Sequence, residues 1–408
     1  MKVVLADIAV LGHGVVGSGV VEVLLKNSER IAENAGQRIN VKYVLDIRKF
    51  PNVPYANLFV DDFEKIAGDE NVSIVVETIG GVDAAYEYTK KLLKAGKSVV
   101  TSNKELVAAF GCELLKLAEL GGVNYLFEAS VGGGIPVIRP IAQCMSANRI
   151  TEIHGILNGT TNYVLTEMVK NGTDFSAALS EAQKMGYAEA DPSADIEGHD
   201  TCRKICILSS LALGRHIYPE QVPTTGIDTV TTADLRCAAD LGYVIKLLGR
   251  ARFLGGKVSA YVAPHLINKS NNLAGVSGVT NCVVVRGNAV GDVMFQGAGA
   301  GKMPTASAVA ADVVDAAKHF RLRKLLGWGE GGSRFAENPL LLESAWYIRA
   351  NISKEKALKH FGRIIFAENT QNADGTAFIT PVMSGKTISE VLGADITPSS
   401  IFRVLSDY

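Results

Sequence analysis

Asp200 and Lys204 stand four residues apart in a polar run, Gly186 to Lys204, that passes straight into the apolar stretch CILSSLALG. On a helix that spacing puts both side chains on one face. The ordinary outcome of such a pair is a surface salt bridge. Here the next turns are apolar, so Lys204 borders the core-facing stripe, where a desolvated lysine loses part of its preference for the charged form and can exchange a proton with an alkoxide. A second lysine, Lys104, closes Thr101-Ser102-Asn103-Lys104 at the expected carboxyl end of a parallel strand, where open α/β sheets hold their ligands. Near the N-terminus Gly12-His13-Gly14-Val15-Val16-Gly17 fits G-x-G-x-x-G between a strand-like run and the helix SGVVEVLLKN. Glycines so placed form a tight turn, admit a pyrophosphate and let helix pack on sheet. Two lysines, several carboxylates and a bound dinucleotide suit reduction of a small polar carbonyl compound, with a lysine stabilising or protonating the developing oxyanion.

The elements that must position these residues are legible as alternation. Short β-rich runs at 8–11, 41–47, 72–78, 98–103 and 123–130 are separated by amphipathic helical stretches, of which 82–96 and 105–122 end in glycine. That is the pattern of a doubly wound parallel sheet. After the glycines at 132–134 the order changes to one strand-like run at 150–157, a mostly helical region to about residue 255, and the strand-like segments SAYVAPHLI and NCVVVRG, as in an α+β domain. An Ala-rich helix at 304–320 and a Gly- and Pro-rich linker at 327–343 precede a final segment of mixed strands and one helix. The second strand ends Leu45-Asp46-Ile47-Arg48-Lys49: Asp46 could accept from a ribose 2'-hydroxyl and favour NAD, whereas Arg48 and Lys49 could clamp a 2'-phosphate and favour NADP. The balance leans to NADP, with use of both open. His13 reads as a side chain at the loop rim, and His199 as exposed or structural.

Composition narrows the class. The chain has 408 residues, 47% of them hydrophobic and 20% charged, with a formal net charge of -1, enough for two or three domains with their own cores. A near-neutral balance without basic blocks argues against nucleic acid and anionic membranes as partners and leaves small molecules. The apolar run at the N-terminus is too short to span a bilayer and reads as a buried strand of a cytoplasmic protein. Six cysteines form neither a disulfide framework nor a C-x-x-C pair, and Cys202 and Cys206 read as packed thiols on one helix face. A cysteine-thioester semialdehyde oxidoreductase would need an activated thiol, which the apolar surroundings of Cys112 and Cys144 do not offer. A non-catalytic nucleotide sensor is the other alternative, set against the presence of both lysines.

The run from Ala182 to Lys204 resembles the homoserine dehydrogenase signature along its whole length: A-x3-G-aromatic-small, then D-P-x2-D-I-x-G-x-D-x3-K. The resemblance continues in LGHGVVGSGV, VVETIGG, TSNKELVA, EASVGGGI, LNGTTNYVL and GAGAGKMPTASAV, in the family's order over about three quarters of the chain. It implies an NAD(P)-binding Rossmann domain at 1–132 to which a segment at about 297–325 returns, a catalytic and dimerisation domain at 133–296, and a small ACT-like α+β module at 344–408. It implies NAD(P)H-dependent interconversion of L-aspartate 4-semialdehyde and L-homoserine in the biosynthesis of threonine, methionine and isoleucine. Lys204 would be the general acid/base and Lys104 a second active-site lysine. Glu189 would bind the substrate ammonium, with Asp195 and Asp200 lining the pocket. Cofactor contacts would come from Gly12, Gly14, Val15, Val16, Gly17, Thr78, Lys104, Gly301 and, from the same loop, Gly299. The resemblance also implies a sodium site at Glu128, through its carboxylate, and the backbone carbonyls of Val131, Gly133 and Ile135. Oxygen-only ligation suits such a hard cation. A homodimer is the default expectation and a homotetramer the alternative.

The tail departs from the family in one place. The turn Asp-x-Pro-Gly that follows the first ACT strand is replaced by Asn351-Ile352-Ser353-Lys354. That turn helps to build the amino-acid effector site, so the expectation is a degenerate module that serves assembly, with weak or no inhibition by threonine.

Overall fold

The computed structural model describes residues 5–405 apart from 321, 323, 325, 369–374 and 394. Residues 1–4 of the expected first strand, and Ser406, with which the expected last strand closes, lie outside the described residues. The chain divides into two compact units: residues 1–149, 206–219 and 297–332, and residues 150–205, 220–296 and 333–408. The units cut the chain at 149/150, where the sequence suggested 132/133, and assign 206–219 to the first unit and the tail to the second.

The first unit is built on a six-stranded parallel sheet: β1 (Leu5–Leu11), β2 (Arg38–Leu45), β3 (Phe59–Val60), β4 (Val72–Glu77), β5 (Ser98–Thr101) and β6 (Tyr125–Leu126), in the order β3-β2-β1-β4-β5-β6. This is the Rossmann order, with its ligand crevice beyond the carboxyl ends of β1 and β4. Ile8 to Leu11 and Ile74 to Val76 are fully buried without alternation, as strands covered on both faces must be. Helices Val15–Lys26, Asp83–Lys94, Lys104–Leu120 and Lys302–Lys318 belong to the same unit. The expected linker does not begin as one: Trp328 is buried, its indole N–H donates to His216 Nδ1 at 2.9 Å, and Gly329 exchanges backbone bonds with Gly214 and His216.

The second unit carries a mixed nine-stranded sheet. Its strands are β7 (Ile150–Ile156), β8 (Tyr243–Leu254), β9 (Lys257–Asn268), β10 (Thr280–Gly287) and β11 (Gly291–Ala298), joined from the tail by β13 (Trp346–Ala350), β14 (Ile365–Phe366), β15 (Thr376–Ile379) and β17 (Pro398–Val404). The order is β11-β10-β7-β8-β9-β17-β13-β15-β14, and the short β12 (Glu343–Ser344) and β16 (Met383–Ser384) pair separately. Two expectations change. β8 falls inside the region read as helical, and the tail is continuous with the central sheet, since β17 pairs in parallel with β9. A buried network fastens it further: Asp234, on the helix Thr232–Asp240, accepts from Arg349 Nε at 2.7 Å, Ser400 Oγ at 2.9 Å and Tyr347 Oη at 3.1 Å. A buried carboxylate supplied with donors in this way is costly to break.

Within the tail the elements of the nine-stranded sheet and their helices run β13, helix Lys354–Phe361, β14, β15, helix Gly385–Leu392, β17, with the short β16 just ahead of the second helix. The strands lie as second, third, first, fourth, the ferredoxin-like arrangement of a βαββαβ unit. Ser353 caps the first helix, its Oγ accepting from Lys356 N–H at 3.2 Å.

Candidate active site

In the first unit the fingerprint turn follows β1 directly. Gly12 has φ +88°, and a Cβ there would meet the Thr78 carbonyl oxygen at 2.8 Å; at Gly17 it would lie 1.9 Å from the Gly12 oxygen. At Gly14 it would meet no atom within 4 Å. The first glycine is therefore demanded by the Thr78 backbone after β4 and the third by the loop's own backbone, and the second keeps open the approach a pyrophosphate needs. Thr78 pins the turn: its hydroxyl lies 2.9 Å from the Leu11 carbonyl oxygen and 3.1 Å from that of Gly12. Val15 is exposed at the first turn of the helix Val15–Lys26, and Val16 follows it. These residues fit a dinucleotide.

At the end of β2, Arg48 turns back on Asp46. Its Nε and Nη2 donate to the two carboxylate oxygens at 3.0 and 2.9 Å, and the His13 backbone N–H adds a third bond at 2.7 Å. Those bonds from Arg48 hold the Asp46 carboxyl well below its ordinary range. Arg48 remains 60% exposed and lies over the Phe50 ring, while Asp46 is 6% exposed, so the guanidinium is the member of the pair offered to solvent. Lys49 stands exposed beside it. His13 is not at a rim. It is 6% exposed, edge-on to Phe50, Tyr55 and Phe59, with Nε2 3.0 Å from the Tyr55 hydroxyl, and burial pushes its imidazole below the usual value.

Lys104 opens the helix Lys104–Leu120 at the carboxyl end of β5, where the sequence placed it. Asn103 caps that helix, its Oδ1 accepting from Leu106 N–H at 3.0 Å. The loop Glu128–Ile135 meets the Gly297–Gly301 segment in the same unit. Gly133 has φ +55°, a Cβ there would lie 2.5 Å from the Gly299 oxygen, and Gly134 N–H donates to Ala298. Gly301, at φ +116°, begins the helix Lys302–Lys318.

The Glu128 carboxylate does not fit the expected sodium ligation. Its Oε1 accepts the N–H groups of Val137 and Ile138 at 2.6 and 2.7 Å, and Oε2 accepts the backbone N–H and Nε of Arg139 at 2.9 and 3.0 Å. A carboxylate has about four lone-pair sites, so these four donors leave none for a cation. Among the described residues no group of three or more His, Cys, Asp or Glu side chains could hold a metal ion.

In the second unit the signature run folds as a loop, a single turn at Ser193–Ile196 and the start of the helix His199–Leu213. Lys204 is buried, with Nζ 2.7 Å from Asp200 Oδ2 and 2.7 Å from the Leu157 carbonyl oxygen. Asn158 draws the acids together: its Nδ2 donates to Asp195 Oδ1 at 2.6 Å and to Asp200 Oδ2 at 2.9 Å, while its Oδ1 caps the helix Gly159–Asn171 through Thr161 N–H. Asn281 Nδ2 donates to the same Leu157 oxygen at 2.9 Å. Reading by residue type missed Asn158 and Asn281. The cap pattern Asn-Gly-Thr-Thr was the available signal for Asn158, and Asn281 had none. Glu189 is exposed on the loop ahead of this cluster. His199 is exposed and paired with Glu197 at 3.0 Å. The arrangement can bind a cationic group at its carboxylates and move a proton at Lys204.

Known proteins share this design. A family model described as homoserine dehydrogenase matches residues 136–314, and one described as homoserine dehydrogenase, NAD binding domain, matches residues 12–128. A homoserine dehydrogenase of Mycobacterium tuberculosis is 41% identical over 360 residues, 85% of this chain and 80% of its own length. The crystal structure of a homoserine dehydrogenase from Thiobacillus denitrificans superposes with a TM-score of 0.87 at 35% identity, covering 99% of both chains. A hyperthermophilic archaeal homoserine dehydrogenase in complex with NADPH gives a TM-score of 0.66 at 28% identity, over 77% of this chain and 98% of its own. Fold, fingerprint and relatives define an NAD(P)-dependent oxidoreductase. The chain belongs to the homoserine dehydrogenase family.

Proposed function

We propose that this chain interconverts L-aspartate 4-semialdehyde and L-homoserine, with Lys204 as general acid/base. The observation that carries the assignment of roles is the buried Lys204 held between Asp200 and the Leu157 carbonyl, with Asp195 joined to the pair through Asn158. When bound, the nicotinamide supplies or accepts the hydride. Lys204 gives a proton to the aldehyde oxygen as that carbon is reduced, and takes it from the homoserine hydroxyl in reverse. Asp200 keeps the Lys204 ammonium oriented, Glu189 binds the substrate ammonium with Asp195 and Asp200 lining the pocket, and Lys104 is the second lysine the family implies. A thioester route finds no support, since burial pushes the Cys112 thiol up and that of Cys282 to about 12. Purified protein should oxidise NADPH when L-aspartate 4-semialdehyde is added, followed at 340 nm; no oxidation of NADPH or NADH would overturn the assignment.

The exposed fork of Arg48 supports a preference for NADP, through the 2'-phosphate, with Lys49 beside it. Arg48→Ala should narrow the ratio of kcat/KM for NADPH over NADH by roughly tenfold, the worth of one charge-assisted contact. Equal losses with both cofactors would show that Arg48 does not discriminate. Gly12, Gly14, Val15, Val16, Gly17, Thr78, Gly299 and Gly301 complete the proposed cofactor site. For a sodium ion the fitting donors are the carbonyls of Val131, Gly133 and Ile135, with the Glu128 carboxylate organising the loop and not ligating.

The strand order of the tail supports an ACT-like module, and the assembly we propose is a homodimer or a homotetramer. Millimolar threonine should leave homoserine oxidation unchanged. Strong inhibition would show that the replaced turn still binds an effector. Among the described residues no helix is long and apolar enough to cross a membrane; the location we propose is cytoplasmic.

A further inference from the structure

Glu77 ends β4 with its side chain wholly buried. One carboxyl oxygen accepts the Ile79 N–H at 2.6 Å; the other lies 2.5 Å from Thr101 Oγ1. The Thr101 oxygen in turn accepts the Asn103 N–H at 2.9 Å, and Asn103 Nδ2 donates to the Gly81 carbonyl at 2.7 Å. The circuit joins the loop after β4, which carries Thr78, to the turn after β5, which carries Lys104. Thr78 extends it to the glycine turn through the Leu11 and Gly12 carbonyls.

An apolar side chain would suit the interior of a parallel sheet better, because a buried carboxyl must be fully supplied with partners to be tolerated. Here each oxygen is spent on a different loop. Burial pushes this carboxyl up to about 7, and burial likewise raises Tyr125 of β6, with the charge of Glu77 adding to that push. A side chain that reaches both loops by hydrogen bonds, and whose charge is disfavoured by burial, is one that a glutamine can replace.

We propose that Glu77 is a positioning residue for the dinucleotide, acting through Ile79 on Thr78 and the glycine turn, and through Thr101 and Asn103 on Lys104. The inference rests on the glycine turn being the dinucleotide site. Three variants test it: Glu77→Ala, Glu77→Gln and Thr101→Val, each measured for NADPH binding by calorimetry without substrate, for thermal midpoint, and for kcat and KM of homoserine oxidation. Glu77→Ala should weaken NADPH by about tenfold or more and lower kcat, leaving KM for homoserine within about twofold, since the lost bonds act on cofactor-side loops. Thr101 Oγ1 donates to the Glu77 carboxyl; Glu77→Gln accepts from Ile79 through its oxygen and, once that hydroxyl turns its hydrogen away, donates to Thr101 through its nitrogen, so it should restore NADPH binding to within about threefold of wild type. Thr101→Val keeps the Ile79 bond but cuts the link to Asn103, and should lower kcat more than NADPH affinity. Folded Glu77→Ala with wild-type NADPH binding overturns the proposal, as does glutamine being no better than alanine. Should the alanine variant fail to fold, unchanged kcat in Thr101→Val or a defect in Glu77→Gln as deep as that of a fingerprint variant decides against it. Wild-type protein that does not bind NADPH overturns the dinucleotide reading itself.

Discussion

Replacing Lys204 by alanine is expected to lower turnover by roughly 100- to 10,000-fold, the span that a positioned general acid/base supplies. NADPH affinity should change far less, because Asp200 and the Leu157 carbonyl, which hold the lysine, belong to the acidic cluster. Alanine alone does not separate chemistry from structure. It leaves the Asp200 carboxylate buried without its cation, and stranding one member of a buried pair costs about 3–5 kcal/mol. Lys204→Arg resolves the ambiguity: arginine keeps the positive charge and can pair with Asp200, yet its pKa is too high to release a proton near neutrality. If Lys204 transfers the proton, arginine and alanine should be similarly slow while arginine keeps the thermal midpoint. If Lys204 only neutralises Asp200, arginine should recover most of the turnover, and the assigned role falls.

The sequence was most informative where partners are close along the chain. Asp200 and Lys204 could be placed together because four residues on a helix put them one turn apart, and the structure has them in contact. The Rossmann half was equally legible, because strands buried on both faces are continuous apolar runs between glycine-ended helices. β8 was not. Lys246 and Arg250 punctuate its apolar residues at a four-residue interval that mimics a helix, yet on a strand they share one face with Arg252. The burial of Lys246 and Arg250 is made tolerable by distant groups: Arg250 pairs with Glu152 at 2.7 Å, and Lys246 donates to Asn162 and the Val276 carbonyl. No local pattern announces a partner nearly a hundred residues away. Glu128 was misjudged for the same reason. A carboxylate in a glycine-rich loop looks available to a cation until the backbone N–H groups of residues 137–139 are seen to fill it. Asp234 likewise gives no hint, as an acid in a capping box, that it also receives Arg349, Tyr347 and Ser400 from the tail.

The two outer glycines and the middle one of the fingerprint should fail in different ways. An alanine Cβ at Gly17 would lie 1.9 Å from the Gly12 carbonyl oxygen and 2.7 Å from Thr78 Oγ1, neither of which can yield without moving the turn. Overpacking of this kind costs roughly 1–3 kcal/mol, and since the strained turn is itself the proposed binding surface, Gly17→Ala should weaken NADPH by roughly 10- to 100-fold and also lower the thermal midpoint of the free protein. Gly14→Ala meets no protein atom within 4 Å, so the free protein should melt as wild type does. Its methyl group would stand where a pyrophosphate comes closest to the backbone, so NADPH and NADH should weaken together, because the two share that group. Calorimetric titration and thermal melts of both variants, with and without cofactor, check the distinction. Wild-type NADPH binding by Gly14→Ala would place the pyrophosphate elsewhere on the turn. A Gly17→Ala protein with unchanged stability and affinity would mean that the turn relaxes freely, and that the third glycine is a convenience of this backbone and not a requirement of the cofactor.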